Sequence, residues 1–91
     1  MTKTELIERV AEETGVTRTD TKLMVNRIIK TISDELAEGG TIRLSELGTF
    51  SVTVVEAHEH YNALLGGKVL CPEQRKIRFR SSKALRKRIN G

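Results

Sequence analysis

Tryptophan is absent from this sequence, and its 91 residues include one tyrosine, two phenylalanines, one proline and one cysteine. The single Cys71 excludes an intrachain disulfide and gives no sign of an oxidising compartment. Any core must be aliphatic, because Phe50, Tyr61 and Phe79 are the only aromatic residues. No apolar run approaches the ~20 residues of a membrane span, and the start lacks the apolar stretch of a secretion signal. A soluble, cytoplasmic protein with no membrane contact is expected. No nucleophile stands beside a positioned base, and there is no phosphate loop or paired-carboxylate site. The sequence therefore predicts a protein that is not an enzyme and takes no cofactor.

Charge is present in quantity but unevenly placed. Between Arg75 and Arg88 lie eight of the sixteen Lys and Arg residues, and no acid interrupts them. Residues 1–74 hold the other eight bases against all twelve acids, so the overall +4 conceals a strongly dipolar chain. A charge run is usually a solvated face. Here the run also contains apolar residues that belong in a core, so like charges are packed together, and a polyanion is the usual reason to tolerate that. A chain of this length makes one small domain that buries only roughly 60–65% of its unfolded surface. Its many unpaired Ile, Leu and Val positions suggest two chains sharing one interior.

Thr2 and Glu5 have capping-box spacing, and Leu6, Ile7, Val10 and Ala11 follow at helical intervals up to a stop at Gly15. Thr17 and Asp20 form a weaker cap for a longer helix. Its apolar stripe is Val25, Ile28, Ile29, Ile32 and Leu36, with Met24 beside it, and Gly39-Gly40 ends it. The two read as a helical hairpin of roughly 11 and 20 residues. At Thr41 the period becomes two. Ile42 and Leu44 alternate with Thr41, Arg43 and Ser45, and after a Glu46-Leu47-Gly48 turn, Phe50, Val52 and Val54 alternate with Thr49, Ser51 and Thr53. Ile77 and Phe79 alternate in the same way with Lys76, Arg78 and Arg80. Three strands thus share an apolar face and a hydroxyl-rich, basic one. Residues 55–74 read as a projecting two-stranded ribbon with a turn at Asn62-Ala63-Leu64-Leu65-Gly66-Gly67. Ser81 or Ser82 caps a last short helix that turns Ala84, Leu85 and Ile89 inward.

This order of elements resembles the HU/IHF family of bacterial histone-like proteins. The resemblance is carried by Met1-Thr2-Lys3-Thr4-Glu5-Leu6-Ile7, Gly15, Leu47-Gly48-Thr49-Phe50, Asn62, Gly66, Phe79-Arg80, Lys83-Ala84-Leu85 and Asn90, in register along the whole chain. It implies an α+β fold: a helical hairpin, a three-stranded antiparallel sheet with a long β-arm, and a short C-terminal helix, intertwined as a dimer. The single domain, 1–91, would divide into a dimerisation base at about 1–40, a sheet at 41–80 with its arm at 55–74, and a helix at 81–91. Double-stranded DNA is the implied partner, bound with little sequence preference in a nucleoid-associated role. The self-partner would be an identical chain or a related one. Lys76, Arg78, Arg80 and Arg43 would line a DNA saddle, and Lys3, Lys83, Arg86 and Lys87 would meet phosphates at its flanks. Ile28, Ile32, Leu44, Leu47, Phe50 and Phe79 would form the dimer core.

The arm departs from that family's pattern. Most members carry several Arg or Lys along it and an Arg-Asn-Pro tip whose Pro wedges between base pairs. Here the tip is Tyr61-Asn62-Ala63, and Val55, His58 and Tyr61 stand where arginines are expected. Lys68 is the only base from Val55 to Gln74, against Glu56, Glu59 and Glu73, a net charge of −2. Such a ribbon forgoes the counterion release that drives binding to a phosphate backbone. Three outcomes are open. Leu64 or Leu65 wedges in place of Pro, the saddle alone binds a straighter duplex, or the arms contact another protein or a neighbouring dimer. Leu64 and Leu65 can equally pack across the hairpin tip. His58 and His60 point to one side, and if Tyr61 pairs with Lys68 then His58 lies opposite Cys71. Imidazole and thiolate can hold zinc. The spacing matches no established motif and a stable site needs about four ligands, so the sequence assigns no metal. Protonation of the histidines in mild acid would instead make the arm less negative and favour DNA contact.

The expectation is a sequence-tolerant, dimeric DNA-binding protein that compacts the chromosome with weakened bending. Its rival is a dimeric assembly module whose acidic arms recruit a protein. Arg18 and Lys22 at the start of the second helix add a weaker expectation, a lateral contact bridging duplexes.

Overall fold

The computed structural model describes residues 1–91 as two compact units, 1–34 and 35–91. In the first, the Thr2 hydroxyl accepts the Glu5 N–H at 3.2 Å and donates to the Glu5 carboxylate at 3.3 Å, which starts helix α1, Lys3–Thr14. Gly15 ends it with φ 74°, a left-handed turn that side chains resist, and its N–H donates to the Ala11 carbonyl at 2.9 Å. The Thr17 hydroxyl accepts the Asp20 N–H at 3.2 Å at the head of α2, Arg18–Ala37. Both caps expected from the sequence, the Thr2–Glu5 box and the weaker Thr17–Asp20 cap, therefore form.

Ile7, Ala11 and Thr21 are the buried side chains of this unit. Fully burying a residue such as Ile7 contributes about 1.5–3 kcal/mol. Every residue ordered loses ~1–2 kcal/mol of backbone entropy, so this interior is too thin to sustain two helices alone. The predicted stripe on α2 instead faces outward at several positions, with Ile28 57% and Ile29 45% exposed.

In the second unit, β1 (Ile42–Leu44), β2 (Gly48–Val55) and β5 (Gln74–Ser81) form an antiparallel sheet in the order β1-β2-β5. The turn at residues 45–47 is closed by the Leu47 N–H donating to the Leu44 carbonyl at 2.9 Å. Gly48 then lies hard against β5. A Cβ there would collide with the Arg80 carbonyl oxygen and come within 2.8 Å of the Phe79 ring, so only glycine lets the strands close at this corner. The Phe50 and Phe79 rings, paired across the ladder, pack 4.8 Å apart at a tilt of 44°. Helix α3, Lys83–Asn90, starts where the Ser82 hydroxyl accepts the Leu85 N–H at 3.0 Å, which resolves the Ser81/Ser82 alternative.

The arm is not one continuous ribbon from 55 to 74. The β2–β5 ladder ends at Val55 opposite Gln74, and a separate pair, β3 (His58–Asn62) with β4 (Gly67–Cys71), begins at His58 opposite Cys71. Pro72 has no N–H to donate, and it falls in the gap.

Candidate nucleic-acid interface

Residues directly opposite in an antiparallel ladder share a face, so register assigns every side chain of the sheet. Arg43 pairs with Thr49, and Thr49 with Arg80; Ser51 pairs with Arg78 and Thr53 with Lys76. One face therefore carries four cations interleaved with hydroxyls, and no carboxylate. It is concave, enclosing about 730 Å³ along the Thr49–Ser51–Thr53 row and against Thr41, Arg43, Arg78 and Arg80. The opposite face carries Ile42, Leu44, Phe50, Val52, Ile77 and Phe79. Of these, Ile77 is 70% and Phe79 48% exposed. Arg75, though part of the basic run, pairs with Val54 and so lies on the apolar side, where its guanidinium reaches toward Gly39.

The face is also electrostatically uncompensated. The one ion pair in the chain joins Lys30 to Asp34, 2.7 Å apart on α2, so none of the bases from Arg75 to Arg88 has a carboxylate partner. Guanidinium groups beside hydroxyls in a shallow trough can meet phosphate oxygens by charge and by hydrogen bond together.

The remaining predicted contacts are less uniform. Lys83 and Lys87 are exposed on α3. Arg86 folds back, its guanidinium donating to the Ser81 carbonyl and hydroxyl. Lys3, in the helical unit, donates to Asn26 Oδ1 at 2.8 Å and ties α1 to α2. Lys3, Arg18 and Lys22 line one groove of that unit together with Glu8. Of the positions expected in the dimer core, Ile28 is exposed, Leu44 and Leu47 are 38% and 41% exposed, and Ile32 and Phe50 are half-buried. Thr49, Ser51 and Thr53 stand beside the bases on the same face, and their alternation with the apolar residues was the sequence signal for them.

At the arm tip, Asn62 Oδ1 accepts the N–H groups of Leu64 and Leu65 at 2.9 and 3.3 Å, and the turn closes through Gly66. Packing across the hairpin does not occur: Leu64 is 97% and Leu65 74% exposed, and Ala63 beside them is exposed too. Tyr61 does pair with Lys68, and His58 with Cys71.

Residues 1–90 match the family model described as bacterial DNA-binding protein. The chain is 37% identical over 90 residues to the DNA-binding protein HRL18 of Rhizobium leguminosarum, covering 99% of each. It is 34% identical to the integration host factor subunit alpha of Xanthobacter autotrophicus, across all of this chain and 87% of that one. A cocrystal structure of Anabaena HU with DNA superposes with a TM-score of 0.85 at 27% identity, covering 98% of this chain and 97% of that one. The chain belongs to the HU/IHF family of bacterial DNA-binding proteins. No helix in it is long and apolar enough to cross a membrane.

Proposed function

We propose that this chain is a non-enzymatic architectural protein that binds double-stranded DNA as a dimer, through the concave basic sheet face, with little sequence preference and little bending. The carrying observation is the row Arg43, Arg80, Arg78 and Lys76 on one face, flanked by hydroxyls and free of carboxylates. Such a surface positions a protein on phosphates and has no built means of reading base edges. Lys83 and Lys87 extend it on α3. A second copy covers the exposed apolar sheet face and the α2 stripe, with Ile28, Ile32, Leu44, Leu47, Phe50 and Phe79 in the shared core. That copy is an identical chain or a relative. Binding of this kind places the protein in the cytoplasm on the nucleoid.

Weak bending follows from the arm. Its net charge of −2 opposes close approach to phosphates, and the tip presents no proline wedge. The test is energy transfer between the ends of a short, doubly labelled duplex, with anisotropy followed in the same titration. Anisotropy should rise while the ends stay apart, and Arg78→Glu with Arg80→Glu should abolish the rise. Affinity unchanged in that double variant overturns the saddle. Ends drawing together would instead mean that the arms bend DNA.

One observation favours a second reading, an assembly module whose arms recruit a protein. Leu64 and Leu65 project bare from an acidic ribbon, as residues of a protein contact would. That reading predicts weak DNA binding with a shallow salt dependence.

A further inference from the structure

The β3–β4 ribbon has two unlike faces. Glu59, Tyr61, Lys68 and Leu70 occupy one, while His58, His60, Val69 and Cys71 occupy the other. On that second face the Cys71 Sγ lies 3.0 Å from His60 Nδ1, and one donor atom from each of His58, His60 and Cys71 falls within 4.8 Å of the other two. A tetrahedral zinc ion with Zn–N of about 2.0–2.1 Å and Zn–S of about 2.3 Å holds its donors roughly 3.3–3.6 Å apart. The one measured contact, 3.0 Å, and the 4.8 Å limit on all three separations put the donors close to that spacing.

A further contact bears on the same point. His58 Nδ1 stands 3.2 Å from the Glu56 carbonyl oxygen. Metal-binding imidazoles characteristically donate the ring N–H that faces away from the metal to a backbone carbonyl, which fixes the tautomer and the ring orientation. In the tautomer that donates Nδ1–H to this carbonyl, His58 keeps Nε2 as its ligand atom, and His60 presents Nδ1 beside the Cys71 Sγ. The donors are also accessible, because both histidines are exposed and Cys71 is half-buried.

We propose that His58, His60 and Cys71 form a binding site for a thiophilic divalent cation, zinc above all, on each β-arm. Two imidazole nitrogens and one thiolate select zinc or cobalt over magnesium or calcium, which require oxygen ligands. Three protein ligands leave the fourth tetrahedral position to water. On binding, the Cys71 proton passes to solvent and an S–metal bond forms, so each zinc adds one net positive charge to the arm. The ion also links β3 to β4 at the base of a two-stranded ribbon, a structure that is marginal without such support. The proposal is independent of DNA binding, and its test contains no DNA.

Reduced, metal-free protein is titrated with cobalt(II) and followed by absorption. A thiolate-to-cobalt charge-transfer band and intense tetrahedral d–d bands should saturate at one cobalt per chain, and zinc should bleach both. Cys71→Ser should remove the charge-transfer band. His58→Ala and His60→Ala should each weaken binding at least tenfold, while His60→Cys retains it and Glu59→Gln, on the other face, leaves it unchanged. All four positions lie on the arm, far in sequence from the buried Ile7, Ala11 and Thr21, and circular dichroism checks that each of the five variants folds. No charge-transfer band, equal cobalt affinity in Cys71→Ser, or saturation at one cobalt per two chains overturns the site as drawn.

Discussion

Thr21 has no exposed surface, and its hydroxyl finds no hydrogen-bond partner. An unpaired buried hydroxyl typically costs about 1–3 kcal/mol relative to an apolar group of the same shape. Thr21→Val keeps the branched shape and removes the orphaned group. It should raise the unfolding free energy by about 1 kcal/mol, seen as a higher urea midpoint with an unchanged slope. The same residue marks a limit of sequence reading. Hydrophobic periodicity collects Val25, Ile28, Ile29 and Ile32 and passes over a threonine, yet Thr21 is buried while Ile28 and Ile29 are exposed. Which stripe of a helix faces its own chain and which faces another is not written in the period. The sheet was more legible, because a two-residue alternation fixes both faces at once. Arg78 and Arg80 fell on the basic face and Arg75 on the other for that reason.

Among the elements, the arm was read least completely. A two-stranded ribbon was anticipated, and the register considered for it, Tyr61 against Lys68 with His58 opposite Cys71, is the one that forms. The gap between the two ladders was not anticipated, because residues 55–74 were read as one continuous ribbon, whereas Pro72 has no N–H to extend the pairing. The three donors of the His–Cys cluster were placed on one side of the ribbon by alternation, but the close approach of His60 to Cys71 was not legible. His60 pairs with Val69, and its diagonal contact with Cys71 depends on side-chain rotation and sheet twist, which spacing does not encode. The exposed tip yields a prediction for the element as a whole. If the saddle alone holds the duplex, replacing Leu64 and Leu65 together by Ser should leave DNA affinity within about twofold by anisotropy. The melting temperature should not move either, because neither side chain is packed. A large loss of affinity would show that the tip enters the minor groove.

At the scale of the molecule, the exposed hydrophobic residues decide the behaviour. Leu23, Met24, Ile28, Ile77 and Phe79 are each 48% exposed or more, on both the helical unit and the sheet. A chain completed only by a second copy has a stability tied to its concentration. The melting temperature should therefore rise across a hundredfold increase in protein concentration, followed by scanning calorimetry. A constant value would mean that the chain folds alone.

The lack of ion pairs along Arg75–Arg88 has a further consequence for the free protein. With no carboxylate partners, the bases of that segment repel one another, and only ions of the medium screen them. Raising salt screens the mutual repulsion of the bases and should make the unbound protein harder to unfold. The same salt competes with phosphates. With about six phosphates neutralised, affinity for DNA should fall with a log–log slope near −5. One set of charges thus gives ionic strength two opposite effects, steadying the protein while loosening its hold on DNA.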